Sequence, residues 1–157
     1  MPTVLITGAG IGIGRAMATA FGAAGYHVVL TDVLDAVGAE AAAGIVASGG
    51  RAEFHRLDVR DTAGAEAIVA SVTAAHGGID VVVANAGIAH KVPLADLTDE
   101  KWNHTLDIDL GGVMRIVRAA APGMRERRSG SVIAMSSIMG VAYGWNEHVH
   151  YSAAKSG

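Results

Sequence analysis

The sequence has no cysteine, which excludes disulfides and thiolate metal sites and agrees with a reducing compartment. Aromatic residues amount to 4% and proline to three positions, so any core must be filled with aliphatic side chains and alanine. An excess of positive charge is missing too: 12 Lys and Arg stand against 15 Asp and Glu, a net charge of −3. Nothing in that balance advertises nucleic acid as a partner. The one basic run, Arg125-Glu126-Arg127-Arg128, closes a helical stretch, where cations suit the helix dipole. Charge-free Ala16 to Thr31 falls short of the ~20 residues a membrane span needs and contains Gly22 and Gly25. The N-terminus enters a strand-like run at once, without the basic region, apolar segment and cleavage site of a leader. The expectation is a cytoplasmic chain with no membrane contact.

What is present is a compact folder, 51% hydrophobic and 17% charged, of a size for one core. Short β-branched runs recur at Thr3–Thr7, His27–Thr31, Ala52–Asp58, Ile79–Asn85 and Ser131–Ser136, each read as a buried strand. Between them Gly12–Ala24, Asp35–Ser48, Asp61–His76 and roughly Asp99–Arg128 have helical spacing. Strict alternation predicts an α/β fold, a doubly wound parallel sheet of Rossmann type in three α/β/α layers. Residues 1–157 read as a single dinucleotide-binding domain. Pro122 predicts a kink or an early end to the fourth helix.

The first strand runs into TGAGIGIG, Thr7 to Gly14, and then a helix. Gly8, Gly12 and Gly14, with Ile13 between the last two, give a tight turn that lets backbone and a helix N-terminus approach a pyrophosphate. Eighteen residues beyond Gly14, Asp32 ends the second strand, where a carboxylate can accept hydrogen bonds from ribose hydroxyls. Its charge would repel a 2′-phosphate, and Ile11 in the turn offers no cation to attract one, so NAD is favoured over NADP. Asp58 and Val59 close the third strand; Asp58 either meets the adenine amino group or caps the next helix. Asn85, Ala86 and Gly87 place small residues and an amide at the sheet's carboxyl edge, where ligands sit. Near the end, Tyr151 and Lys155 stand four apart and share one helix side, which suits a tyrosine-centred acid/base site.

This ordered set, completed by the Ser136-Ser137 pair, resembles the short-chain dehydrogenase/reductase family along the whole chain. The resemblance implies an NAD(P)-dependent oxidoreductase that moves a hydride between the nicotinamide and the carbon of a small-molecule alcohol or ketone. By position the catalytic serine is Ser137, because Gly140 follows three residues later, with Ser136 the runner-up. Ser137 would hydrogen-bond the substrate oxygen, Tyr151 would exchange a proton with it, and Lys155 would also bond the nicotinamide ribose. A free phenol ionises near pH ~10, so neutral-pH work needs the nearby positive charge of Lys155. Where the family has a catalytic asparagine opening the long helix, this chain has Asp109. That carboxylate either weakens the pull of Lys155 on Tyr151 or is tolerated as a helix N-terminal acid.

The resemblance also implies a homodimer or homotetramer, with Val113, Ile116 and Val117 as an exposed seam, and a chain of about 250 residues that still forms one core. The sequence therefore reads as the N-terminal part of a longer enzyme, with the last strands and the substrate loop missing and Tyr151 and Lys155 in a fraying end. A truncated relative that binds a dinucleotide or pairs with a partner without chemistry is the alternative, and a sugar-nucleotide epimerase a third. The seven histidines show no ligand spacing on any one element, so no metal site is expected. Trp145, Asn146 and His148 either border the substrate pocket or are plain loop residues.

Overall fold

The computed structural model describes residues 1–157. Five parallel strands, β1 (Thr3–Thr7), β2 (His27–Asp32), β3 (Arg51–Arg56), β4 (Val81–Ala84) and β5 (Ser131–Ala134), form one sheet in the order β3-β2-β1-β4-β5. The order reverses between β1 and β4, which opens a crevice at the carboxyl edge beside them. All five residues of β1 are buried, as a central strand covered on both faces requires.

The pleat divides the core. Val4, Ile6, Val28, Leu30 and Val83 face α1 (Gly12–Ala23) and α2 (Asp35–Ala47), where Ala18, Ala41 and Ile45 complete one apolar cluster. Leu5, Val29 and Val82 face the opposite way, onto Val69 and Val72 of α3 (Thr62–His76) and Ile116 and Ala120 of α5 (Gly112–Arg127). Small residues on the helices let them lie close to the sheet, which is why so alanine-rich a chain packs at all. Asp61 caps α3 by accepting the Gly64 N–H at 3.0 Å, so the cap foreseen as one option for Asp58 falls three residues later.

Three expectations need correction. The fourth helix does not end at Pro122, because α5 continues to Arg127; Pro122 and Arg118 lie on the exposed side, where a carbonyl left without its partner faces water. The interruption comes earlier: α4 (Asp99–Leu106) passes into α5 through one π-helical turn, Asp107–Gly111. Val113, Ile116 and Val117 form no exposed seam, since Ile116 is 1% exposed and the two valines pack against the same core cluster.

The segment carrying Tyr151 and Lys155 is a docked helix, α7 (Val149–Ser156), rather than a frayed end. It lies against α6 (Ile138–Val141), where a Cβ on Gly140 would strike the backbone of Lys155, and Ser156 donates its hydroxyl to the Gly140 carbonyl at 2.8 Å. No helix is long and apolar enough to cross a membrane.

Candidate active site

The carboxyl edge of the sheet holds a groove of about 560 Å³ that brings Gly8, Gly12, Ile13, Gly14, Asp32, Asp58, Val59, Asn85, Ala86 and Gly87 together. At its centre Gly8 adopts φ +63°, and a Cβ there would come within 2.8 Å of the Ala86 Cα. A Cβ on Gly14 would collide with the carbonyl oxygen of Gly8 and reach 2.7 Å from the Asn85 amide nitrogen. The two glycines therefore let α1 press onto the turn, and the turn onto β4. Helix α1 has no capping side chain and no acidic residue in its first turn, so its free N–H groups look into the groove.

Asp32, 7% exposed, accepts the Gly10 N–H at 2.9 Å and the Leu34 N–H at 3.0 Å. It braces the glycine turn while lining the groove, and its remaining lone pairs are free for a ligand hydroxyl. The donor side of the Asn85 amide is taken up by the glycine turn. Its nitrogen donates to the carbonyls of Thr7 and Gly8 at 3.0 and 3.1 Å, so the side chain holds the turn. Thr7, which opens the glycine motif, accepts the N–H groups of Asn85 and Ala86 through its hydroxyl, each at 3.0 Å, a role the motif did not announce. Asp58 is gripped by Arg60 through side-chain and backbone hydrogen bonds, which hold its carboxyl at about 2, so it stays ionised. Arg60, Leu34, His104 and Ile108 also line the groove and carry no motif that could have announced them.

Beyond Gly87 the groove meets the second constellation. Lys155 Nζ donates to the Met135 carbonyl at 3.0 Å, lies 3.6 Å from Asp109 Oδ2 and sits 5.7 Å from the centre of the Tyr151 ring. Lys155 and Asp109 are almost closed to solvent, at 7% and 0% side-chain exposure. Gly87 makes room for both, because a Cβ there would sit 3.1 Å from the Asp109 carboxylate and 3.3 Å from the Lys155 ammonium. Ser136 and Ser137 lie just past the end of β5, yet they diverge as strand neighbours would. Ser136 donates to the Lys155 carbonyl at 2.7 Å, whereas Ser137 caps α6 by accepting the Met139 N–H at 3.2 Å.

Asp109 is not a helix N-terminal acid. It occupies the π turn inside a continuous helical run, and the extra residue of that turn aims the carboxylate inward, under Gly87 and Ile88. Burial pushes the carboxyl up, against the Ile88 N–H at 2.8 Å and the Lys155 charge, which pull it down; the net direction is up. His150, 1% exposed and without a hydrogen-bond partner at either ring nitrogen, is pushed down from the ordinary imidazole value by burial. Because the fold disfavours the Asp109 charge even with Lys155 beside it, stability falls as pH rises from 3.8 through the raised folded value. Asp109→Asn should abolish that dependence and raise the melting temperature at neutral pH, read by thermal unfolding at pH 4 and pH 8. Turnover should stay level or rise, because Lys155 keeps its full charge beside Tyr151. A tenfold loss would give Asp109 a positive role.

Trp145, 59% exposed, stacks edge-on with His148 at 5.7 Å, and His148 contacts the Asn146 carbonyl; none of the three lines the groove.

The sequence matches the profile of the short chain dehydrogenase family over residues 2–157. The chain belongs to that family. Among curated relatives, (5R,7aS)-5-hydroxy-7a-methyl-1-oxo-2,3,5,6,7,7a-hexahydro-1H-indene-carboxyl-CoA reductase of Mycobacterium tuberculosis is 39% identical over 98% of this chain and 59% of its own length. D-threitol dehydrogenase of Mycolicibacterium smegmatis is 36% identical over 98% of this chain and 58% of its own. The chain thus spans about three-fifths of the length of these curated relatives. Among solved structures, a metagenomic short-chain oxidoreductase in complex with NADP superposes with a TM-score of 0.93 at 34% identity, covering 98% of this chain and 70% of that one. A short chain dehydrogenase from Mycobacterium smegmatis gives a TM-score of 0.94 at 33% identity, over 99% and 66%.

Proposed function

We propose that the protein is an NAD-dependent oxidoreductase that interconverts an alcohol and a ketone, with Tyr151 as acid/base. The reading rests on one observation above all: Lys155 is buried beside Tyr151 where the groove that begins at Asp32 ends, at Gly87. A dinucleotide fits the donors present. The free N–H groups of α1 and the absence of Cβ atoms at Gly8 and Gly14 suit a pyrophosphate, and Asp32 suits an adenosine ribose. The bound nicotinamide would supply the hydride acceptor or donor.

The chain's own residues divide the remaining tasks. Ser137 orients the substrate oxygen by hydrogen bonding, since Ser136 is committed to the Lys155 carbonyl. Tyr151 holds the proton that this oxygen gains or loses, and Lys155, fixed by Met135, sets a positive charge beside the phenol and would bond the nicotinamide ribose. Asp109 is a positioning residue that holds Ile88 and tempers the charge of Lys155. Asp58, kept ionised by Arg60, would accept a hydrogen bond from the adenine amino group, and Val59 lines the groove beside it.

Preference for NAD follows from charge. Asp32 carries a carboxylate at the ribose end, while Arg60 and Arg15 are paired with Asp58 and Glu40. Asp32→Ser should raise the ratio of kcat/KM for NADP over NAD by about tenfold or more, because a nearby unit charge no longer opposes the 2′-phosphate. Screening NAD and NADP against a panel of secondary alcohols tests the whole reading. Binding of neither coenzyme would overturn it, and binding without any turnover would favour a non-catalytic dinucleotide-binding relative.

A further inference from the structure

At the opposite, amino end of the sheet, three elements converge on one carboxylate. His27 opens β2, Glu53 lies in β3 and His76 ends α3. The register pairs His27 with Arg51 and Val29 with Glu53, so His27 and Glu53 project from the same face, the one that α3 covers. His27 Nε2 lies 3.3 Å from Glu53 Oε1, and His76 Nε2 lies 3.1 Å from the same oxygen. The two imidazole rings stack with centroids 4.0 Å apart.

We propose that His27, Glu53 and His76 form a binding site for a divalent transition-metal ion, with Zn²⁺ the best match. Two imidazole nitrogens and one carboxylate oxygen are a donor set that Zn²⁺ accepts, and all three atoms lie within 4.8 Å of one another. In a tetrahedral site with metal–ligand distances of ~2.0–2.1 Å, neighbouring donors stand about 3.4 Å apart, close to the separations at Glu53 Oε1. Side-chain exposures of 12, 35 and 26% leave an entry path and room for water as a fourth ligand.

A fourth residue supports the set from outside. His55 Nε2 stands 3.5 Å from the other oxygen, Glu53 Oε2, and is buried with no hydrogen-bond partner. With Oε1 drawn to a metal, a short movement lets the His55 N–H donate to Oε2, the outer contact that orients a ligating carboxylate. No motif announced this set, because its members are 26 and 23 residues apart and meet only across the sheet. The ion would fasten the edge strand β3 to β2 and α3, a stabilising role distant from the coenzyme groove.

Calorimetric titration of the tag-free protein with Zn²⁺ should give one equivalent bound with a micromolar or tighter dissociation constant. Co²⁺ should give the visible absorption of a low-symmetry four-coordinate site. Glu53→Gln and His76→Ala should each weaken binding at least tenfold while coenzyme binding, at the other end of the sheet, is unchanged. His76 is partly exposed at a helix end, so its variant remains decisive if Glu53→Gln fails to fold. Absence of saturable binding, or unchanged affinity in His76→Ala, overturns the proposal.

Discussion

Tyr151→Phe should lower kcat for alcohol oxidation or ketone reduction by ~10²–10⁴-fold, the range that a positioned acid/base contributes. The change removes only the hydroxyl. The ring that sits 5.7 Å from Lys155 Nζ stays, and the groove from Asp32 to Gly87 is untouched. Coenzyme affinity should therefore hold within a factor of about three, since no binding contact is deleted. Steady-state kinetics beside a calorimetric titration with NAD read the two effects separately. A variant that keeps a tenth or more of its turnover would remove Tyr151 from the chemistry and leave the groove as a binding site only. The expectation depends on Lys155 being held, and the Met135 carbonyl holds it at 3.0 Å.

Gly14→Val should weaken NAD binding by ~10²-fold or more, the scale of loss that follows when a site is displaced by about 1 Å. A Cβ at this position would run into the Gly8 carbonyl and the Asn85 side-chain amide, which donates to that carbonyl at 3.1 Å and is held by it. Neither obstacle is the loose end of a flexible side chain, so α1 itself has to move off the turn. The apolar cluster of Val4, Ile6, Val28 and Leu30 lies deeper and should hold the fold together. Circular dichroism close to that of the parent with lost NAD binding is the predicted pair of results. Retained affinity would mean that α1 does not need to approach the coenzyme.

Much of this was legible in the chain itself. The alternation of β-branched runs with alanine-rich helical stretches fixes a parallel sheet, because only that arrangement buries strands on both faces while keeping crossovers right-handed. The glycine turn, Asp32 and the Tyr151/Lys155 spacing were readable because each depends on contacts within one strand, one turn or one helix face. Boundaries were less exact: β4 runs from Val81 to Ala84 rather than from Ile79 to Asn85, because ladder hydrogen bonds, not apolar composition, end a strand.

Other features waited for the tertiary structure. The π turn at Asp107–Gly111 leaves no mark in the apolar pattern, yet it turns Asp109 toward Lys155, 46 positions away along the chain. That the two amide donors of Asn85 go to the carbonyls of Thr7 and Gly8 emerges only from the packing of β4 against the glycine turn. The His27–Glu53–His76 set needed β2, β3 and the end of α3 brought into register before its nitrogens could share one oxygen. The sequence by itself determined the fold class, the glycine turn and the placing of Tyr151 and Lys155 on one helix side, since those rest on local spacing and conformational preference. Charge environments and side-chain partners were decided only by the assembled sheet and helices, because they depend on distances between segments that the linear order does not contain.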